Sequence, residues 1–420
     1  MATTFNRLGS ANTYDNALRN ISNRQMALSN LQENLTSGKK VVRASDDPTG
    51  AAQAERALTR ISRIATDQRA LEAQRNSIAM AESTLGDVNA ALQNFRELVV
   101  SAGNGGFTTA DRKTVALQLS GLRDQVFSLA NRKDTNGQPL FSALGSALAP
   151  FVGPQAPPQD YTFDGLPGQP ASGEVAIPFT LDGDSAFMLQ VARDGVYKVS
   201  TAGPSASGAQ PLSVNVALST PPAAVDDLTY KVSIASVDST TVPGTTTVNY
   251  GITADPSGAA TALPMGSVSY PSTQAGGIAL TGIPGRVLTL SASPVAGDSV
   301  TIEPSPSLFS VLDNAIRDIG SATSSAAASQ AVNQALGNLD IGMGRVSAVR
   351  GQAGELLNRA DRIADNQDKR SVQLEADRSR AEDLDMVKGI SDFQNQQTGY
   401  QAALQSYAQV QKLSLFNYIG

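Results

Sequence analysis

Neither cysteine nor histidine occurs anywhere in the 420 residues, and tryptophan is also missing. Without cysteine there is no disulfide, no thiolate nucleophile and no thiolate-held zinc or iron–sulfur centre. Without histidine there is no Ser-His-Asp triad and no imidazole metal ligand. Catalysis would have to rest on paired carboxylates, lysine, a Ser–Lys pair or tyrosine. Aromatic residues make up 5% of the chain and hydrophobic residues 41%, so cores can form but are thin. With 32 basic and 38 acidic residues the net charge is −6, and there is no basic tail, a poor profile for binding nucleic acid. No apolar run approaches the roughly 18 residues of a membrane span. The first ten residues, Met1 to Ser10, lack the apolar core of a cleaved secretory signal. By those rules alone the chain reads as cytoplasmic.

Proline partitions the sequence. Of 21 prolines, all but Pro48 fall between Pro139 and Pro306. The same stretch carries 4 basic and 12 acidic residues, whereas the flanks are close to neutral. Helix interiors exclude proline, so long helices are possible in the flanks and not in the middle.

The flanks carry sustained heptads. Tyr14, Ile21, Leu28 and Leu35 recur every seven residues, with Leu18, Gln25 and Gln32 as a companion row. Ile64, Leu71, Ile78, Leu85, Leu92 and Val99 form a longer row beside Ala81, Val88 and Phe95, and Val115 to Leu129 continue in fours and threes. On the C-terminal side, Val332, Leu336, Leu339, Met343, Val346, Ala353, Leu357, Ala360 and Ala364 alternate in the same way, interrupted by Arg350. Phe393, Tyr400 and Tyr407 follow, with Ile390, Gln397, Leu404 and Gln411 as partners. Spacing near 3.5 puts each set on one stripe of a helix packed along its length. Gly38 is a candidate left-handed cap, and Asp47 before Pro48 starts the next helix. Gly103 to Gly106 breaks that helix, and Thr109 or Asp111 can cap its successor. A helix from about 48 to 101 would span roughly 80 Å at about 1.5 Å per residue.

The middle predicts β structure. Val175–Leu181, Phe187–Val191, Val196–Val199, Leu212–Leu218, Leu228–Val237, Thr245–Ile252, Val287–Leu290 and Val300–Ile302 are short β-branched runs separated by Gly, Pro, Asp and Ser. Asp194-Gly195 predicts a hairpin turn, and residues 201–211 and 254–276 are low-complexity loops. The fold class expected is mainly α with an inserted β domain. A long antiparallel coiled coil or bundle is drawn from both termini, with an outward antiparallel β domain of sandwich or barrel-like form.

Candidate sites have bland competitors. Asp46-Asp47 suggests a metal pair, but a helix cap before Pro48 explains it better. Gly342-Met343-Gly344 follows no strand and sits in a heptad run, so it is no nucleotide loop. Gly337, Gly344 and Gly351, seven apart, predict close approach by a neighbouring helix, offsetting about 1 kcal/mol each. Lys39, Lys40 and Arg43 form a basic loop, either solvated surface or a subunit contact. Asp182 and Asp184 sit in an apparent turn and make a weak catalytic pair. Gln25, Gln32, Gln397 and Gln411 are either surface residues or polar seam residues that set register. The terminal helices, with half-polar seams, bury little alone and are expected to need other subunits.

Particular segments resemble a known family. Ala17-Leu18-Arg19-Asn20, Leu35-Thr36-Ser37-Gly38-Lys39-Lys40 and Ser45-Asp46-Asp47-Pro48 are similar to the amino-terminal signature of bacterial flagellins. Gln396 to Val410 and Leu413 to Tyr418 resemble the flagellin-like carboxy terminus, in the form carried by the hook–filament junction members of the family. Asn131 to Ser142, Ala296 to Val300 and Leu308 to Asn314 are similar to those members too. The resemblance covers roughly residues 1–145 and 290–420; the β block resembles nothing specific. At Pro139-Leu140-Phe141-Ser142-Ala143 the chain departs from the family's usual aromatic and glycine.

The resemblance implies a secreted structural subunit of the flagellum, not an enzyme, with no metal or cofactor. It would leave unfolded through the flagellar type III export apparatus, its C-terminal helix held by an export chaperone. It would then assemble as a ring joining hook to filament, between the inner junction protein (hook-associated protein 1) and flagellin. No nucleic acid or membrane partner is implied. The implied organisation is a pair of terminal helices (1–45 and 380–420), a helical rod (46–140 and 305–379) and a β-rich outer domain (141–304). The expected assembly and chaperone interface is Tyr14, Ile21, Leu28, Leu35, Ile390, Phe393, Tyr400, Leu404 and Tyr407, the C-terminal five forming one apolar stripe. Flagellin itself is the nearest alternative, and a glycan-binding or hydrolytic adhesin built on the β block a more distant one.

Overall fold

The computed structural model describes residues 10–155, 161–169, 171–204, 212, 214–218, 228–255, 261–274, 277–290 and 293–419. Three helices lead in: α1 (Ser10–Ser37), α2 (Pro48–Ala102) and α3 (Thr109–Ala130). Next come β1 (Phe151–Val152), β2 (Thr162–Phe163) and the short helices α4 (Gly183–Phe187) and α5 (Val191–Asp194). The strands β3 (Tyr197–Ala202), β4 (Val214–Leu218), β5 (Thr229–Asp238), β6 (Thr245–Asp255) and β7 (Thr261–Ala262) follow. The block ends with β8 (Gly266–Pro271), β9 (Ile278–Ile283), β10 (Arg286–Leu290) and β11 (Ser299–Pro304). The chain returns through α6 (Leu308–Ser321), α7 (Ser325–Glu382) and α8 (Met386–Ile419). It forms two compact units, one of residues up to 69 with those from 363 onward, the other of residues 70–362. The α2 and α7 helices contribute to both.

In the second unit α2 and α7 run antiparallel, as their ion pairs show: Arg75 with Asp361 (3.1 Å), Arg350 with Glu82 (2.8 Å) and Arg96 with Asp340 (2.9 Å). These are exposed pairs, screened by solvent, so they mark register rather than hold the helices. The apolar stripe holds them. Leu71, Ile78, Ala81, Leu85, Val88, Leu92, Phe95 and Val99 are at most 3% exposed, the two rows expected from spacing. Across from them Val332, Leu339, Val346, Ala353 and Ala360 are buried. The companion row on α7 is Ala335, Gly342, Val349 and Ile363, one residue earlier than the expected Leu336, Met343, Arg350 and Ala364. The reason lies at Gly342, where a Cβ would stand 2.4 Å from Leu308 Cδ1; the helix turns its smallest residue toward α6.

The α3 helix begins with a capping box. The Thr108 hydroxyl accepts from the Asp111 N–H (3.2 Å) and the Asp111 carboxylate accepts from the Thr108 N–H (2.9 Å). The cap residue is therefore Thr108 rather than Thr109, and Asp111, the other expected candidate, completes the box from the third helical position. The α3 and α6 helices pack antiparallel, with Gly320 of α6 against Ala116 and Arg123 bound to Asp313 (2.8 Å). Phe309 of α6 meets Phe127, Phe151, Tyr161 and Phe187 at ring distances of 5.2–5.7 Å. Such contacts add to what area burial supplies. The Tyr161 hydroxyl donates to Asp313 (2.6 Å), and burial together with that carboxylate pushes its phenol up, keeping it protonated. These aromatics tie the segment around residues 141–187 to the helices. Where the chain leaves and re-enters the helical part, Met188 and Ser307 form an antiparallel bridge and the Leu189 N–H donates to the Pro306 carbonyl (2.9 Å).

Beyond that bridge two antiparallel sheets share one core, as the strand runs predicted. One is ordered β3-β11-β5-β6, with β7 and β8 both alongside β6; the other is β4-β10-β9. Tyr230, Val232, Ile252, Leu288, Leu290, Val300 and Ile302 fill the space between them. Arg286 is buried there, its guanidinium 4.8 Å from the ring centres of both Tyr197 and Tyr230, with Nε donating to the Tyr197 hydroxyl (2.8 Å). The Tyr197 carbonyl in turn accepts from the side-chain amides of Asn338 (2.8 Å) and Gln334 (3.3 Å), which ties β3 to α7.

Several expectations are corrected. Val175–Leu181 is no strand: its Ile177 N–H donates to the Gln74 side chain (3.1 Å) and its Leu181 N–H to the Leu140 carbonyl (2.9 Å), so it pairs with no ladder. Phe187–Val191 is no strand either, because Asp182 caps α4 through the Asp184 N–H (3.1 Å) and Phe187 closes that helix. Asp194-Gly195 ends α5 rather than turning a hairpin; Gly195 takes φ +64° and Asp194 accepts the Gln190 N–H (2.9 Å). The presumed loop 254–276 contains β7 and β8, and β8 turns Tyr270 into the core. The β9 strand was not expected; it joins β10 across Pro284-Gly285, with Gly285 at φ +69°.

Gly337, Gly344 and Gly351 are exposed, with nothing within 4 Å of an added Cβ, so among the described residues no helix approaches them closely. Each costs the helix about 1 kcal/mol against alanine without a compensating contact. Gly337→Ala, Gly344→Ala and Gly351→Ala are each expected to raise stability by up to about 1 kcal/mol, read as an upward shift in thermal or urea unfolding of the monomer. A fall in stability for all three would mean these positions are packed after all.

Candidate assembly interface

The first unit is built from two helix ends stitched at their turns. The α1 helix ends at Gly38, whose φ of +70° is the left-handed conformation that favours glycine. Its carbonyl accepts the Leu384 N–H (2.9 Å), and the Lys40 N–H donates to the Glu382 carbonyl (2.8 Å), with Lys39 and Asp383 bridged between them. The turn between α1 and α2 is thus hydrogen-bonded to the turn between α7 and α8. Asp385 starts α8, its carboxylate accepting the Val387 and Lys388 N–H groups at 3.1 Å each.

Asp47 is a cap and not a metal ligand. Its Oδ1 accepts from the Thr49 N–H (3.1 Å) and hydroxyl (2.7 Å), and those bonds hold its carboxyl below the usual range. Asp46 Oδ2 is taken by the Arg43 N–H (2.8 Å). The basic loop is satisfied within the chain: Lys39 pairs with Glu382, Lys40 Nζ donates to the Arg380 carbonyl, and Arg43 pairs with Glu33 at 2.8 Å. Among the described residues no cluster of acidic side chains is arranged to hold a metal ion, and no helix is long and apolar enough to cross a membrane.

The α1 and α8 helices pack antiparallel: Gly389 lies against Leu35, and Gly399 under the Arg24 guanidinium. Ile21, Leu28, Leu35, Phe393, Tyr400 and Tyr407 are brought together but only half buried. Ile390 and Leu404 stand 47% and 41% exposed, off that face, so the C-terminal five do not form one stripe. Tyr14 lies in α1 beyond the residues whose side chains are described. The companion rows are Ala17, Ala27 and Leu31 on α1, with Gln396 and Ala403 on α8; Gln25, Gln32 and Gln397 are exposed surface residues. The signal for Leu31 was its position three residues after Leu28 and four before Leu35; the small or polar Gln396 and Ala403 left none.

Apart from Gly389, no described residue of α1 or α8 is buried. Met26, Met386 and Val387 on the same helices are exposed as well. A two-helix pair with so incomplete a seam is marginal by itself, because most helical stability in proteins comes from packing an apolar face. The arrangement offers a half-covered apolar surface and no catalytic constellation.

The helices of the two termini pair in one unit, and the β block is inserted between them in the sequence. The chain belongs to the bacterial flagellin family. The flagellin N-terminal helical region matches residues 10–145 and the flagellin C-terminal helical region residues 336–419, together just over half of the sequence. The chain is similar to flagellar hook-associated protein 3 of Salmonella typhimurium, 35% identical over 148 residues, 34% of this chain and 46% of that one. It is also similar to flagellar hook-associated protein 3 of Escherichia coli, 37% identical over 141 residues, 33% of this chain and 44% of that one. The matched region thus spans less than half the length of these curated relatives. In fold, it is similar to the crystal structure of the flagellar junction protein FlgL from Legionella pneumophila, with a TM-score of 0.54 at 23% identity, covering 73% of this chain and 98% of that one.

The half-covered seam predicts that the termini of a dilute monomer open before the rest. Limited proteolysis is expected to trim roughly residues 1–40 and 380–420 first, leaving a resistant fragment. Ends that outlast the interior would contradict an open seam.

Proposed function

We propose that the chain is a structural subunit joining the flagellar hook to the filament, secreted and resident in the extracellular flagellum. The observation that carries this reading is the α1–α8 pair, whose apolar residues are half buried in the monomer and complete a core only when other copies or partners cover them. Its kinship with hook-associated protein 3 supports the junction over the filament itself. The subunit leaves by the flagellar type III apparatus and assembles as a ring between hook-associated protein 1 and flagellin. Before export, a chaperone covers α8. Gold-labelled antibody against the β block should mark intact flagella at the hook–filament boundary alone. Label along the whole filament would favour flagellin, and its absence from the organelle would end both readings.

Tyr400 and Tyr407 face the seam, so chaperone and lattice compete for one surface. Tyr400→Ala and Tyr407→Ala should each weaken chaperone binding by about 1–3 kcal/mol and lower incorporation into the flagellum. Calorimetry beside a motility assay reads both halves, and unchanged affinity in both variants would place the chaperone elsewhere.

The sheets are expected to be dispensable for assembly, but the segment ahead of them is not, because Phe151, Tyr161 and Phe187 pack on Phe309. Replacing residues 197–304 with a short flexible linker should still restore filaments to a strain lacking its junction subunit, whereas extending the deletion back to residue 150 should not. Loss of filaments from the shorter deletion, despite normal export, would assign the sheets a part in the lattice.

A further inference from the structure

Only two asparagines in the chain precede glycine, Asn104 and Asn136, and both lie in exposed turns. Such a pair can react with itself: the glycine backbone nitrogen attacks the asparagine side-chain carbon wherever it is free to approach it. Exposure does not separate the two sites, but hydrogen bonding does. At Asn136 the Gly137 N–H donates to the Asp134 carbonyl (3.1 Å), and the Asn136 and Gln138 N–H groups donate to the Asp134 carboxylate at 2.8 Å each. The Gly137 nitrogen is therefore engaged, beside a negative charge that opposes loss of its proton.

At Asn104, in the turn between α2 and α3, the pattern is the reverse. The Asn104 N–H donates to the Ser101 carbonyl (3.1 Å) and its own carbonyl accepts from the Phe107 N–H (3.1 Å), which holds the turn from both sides. The Gly105 N–H has no partner among the described residues. The Asn104 Oδ1 accepts from the Gly106 N–H (3.0 Å). That bond closes an Asx turn whose ring contains the Gly105 nitrogen, so the amide carbon is held beside it. The same N–H polarises the side-chain carbonyl and is in place to take up charge on Oδ1 during attack. Gly105 lies outside the left-handed region, and an added Cβ would meet nothing closer than the Ser325 hydroxyl at 3.4 Å.

We propose that Asn104-Gly105 is a self-modifying site, which deamidates in the folded chain with water as its only co-reactant. A solvent base takes the Gly105 amide proton as the nitrogen bonds to Asn104 Cγ. The Cγ–Nδ2 bond breaks, and the side-chain nitrogen takes a proton from solvent and leaves as ammonia. The product is a five-membered imide, and water opens either of its carbonyls. One route leaves aspartate at position 104. The other leaves isoaspartate, in which the chain runs through the former side chain and is one methylene longer. Both routes replace a neutral amide with a carboxylate. That charge stands just past the C-terminus of α2, where the helix dipole disfavours it. The modified fraction rises with the age of the molecule. The site lies outside the α1–α8 interface and stands or falls apart from the junction reading.

The test uses the full chain, aged in mildly alkaline buffer and mapped by peptide mass spectrometry that separates aspartate from isoaspartate. Both products should accumulate at Asn104, at least about tenfold faster than at Asn136. Ageing in urea should erase that difference, chiefly by freeing the Gly137 N–H and accelerating Asn136. Gly105→Ala fits the turn, so thermal unfolding should stay close to that of the unaltered chain. Its methyl group shields the nitrogen and restricts its approach, so conversion at Asn104 should fall by at least about tenfold. Asn104→Asp, made directly, is the reference for the aspartate product. No product at Asn104, Asn136 keeping pace with it in the folded chain, a ratio that urea leaves unchanged, or conversion indifferent to Gly105→Ala would each overturn the proposal.

Discussion

A helix whose apolar stripe is only half covered has no stable resting place alone, and α1 and α8 each carry such a stripe. Pairing them antiparallel covers one side of Ile21, Leu28, Phe393 and Tyr400 and leaves the other to solvent. The geometry around the pair compensates locally. The left-handed turn at Gly38, the hydrogen bonds from Lys40 and Leu384, and the Asp385 cap fix both helices at one end while their seams remain open. In the second unit the opposite holds: α2 and α7 bury their stripe completely and need nothing more. One sequence thus combines a finished core with an unfinished one, and the proposed assembly rests on the unfinished one.

The join between helices and sheets is made by few residues with several duties. Phe309 collects rings from α3, β1, α4 and Tyr161 just ahead of β2, and Asp313 one turn further on accepts from Tyr161 and pairs with Arg123. Tyr197 binds Arg286 through its ring and hydroxyl and α7 through its carbonyl. A buried arginine is costly to desolvate, and two aromatic faces with a phenol oxygen offset part of that cost.

Legibility followed from how far local pattern settles partners. The rows from Leu71 to Val99 were readable because both were apolar and regular. The second row on α7 was misplaced by one residue because Leu336 and Met343 are more apolar than Ala335 and Gly342, yet close approach by Leu308 requires glycine at 342. Val175–Leu181 is strand-like in its apolar and β-branched content, but Ile177, Pro178 and Leu181 are buried while Val175 and Phe179 are exposed, which is not a period of two, and its partner is a glutamine of α2 rather than a strand. Gly266–Pro271 was hidden by its serine, glycine and proline content, although Tyr270 is buried in the core and Val268 packs against it. At the interface the aromatic heptad of α8 was legible. Ile390 and Leu404 were not separable from it, since spacing near 3.5 admits two neighbouring rows and only packing chooses between them.

The Met188–Ser307 bridge closes the chain just before the sheets begin and just after they end. A pull that separates α4 from α6 therefore meets this crossing before it reaches the strands, while the Tyr197 carbonyl, held by Asn338 and Gln334, gives the sheets a second hold on α7.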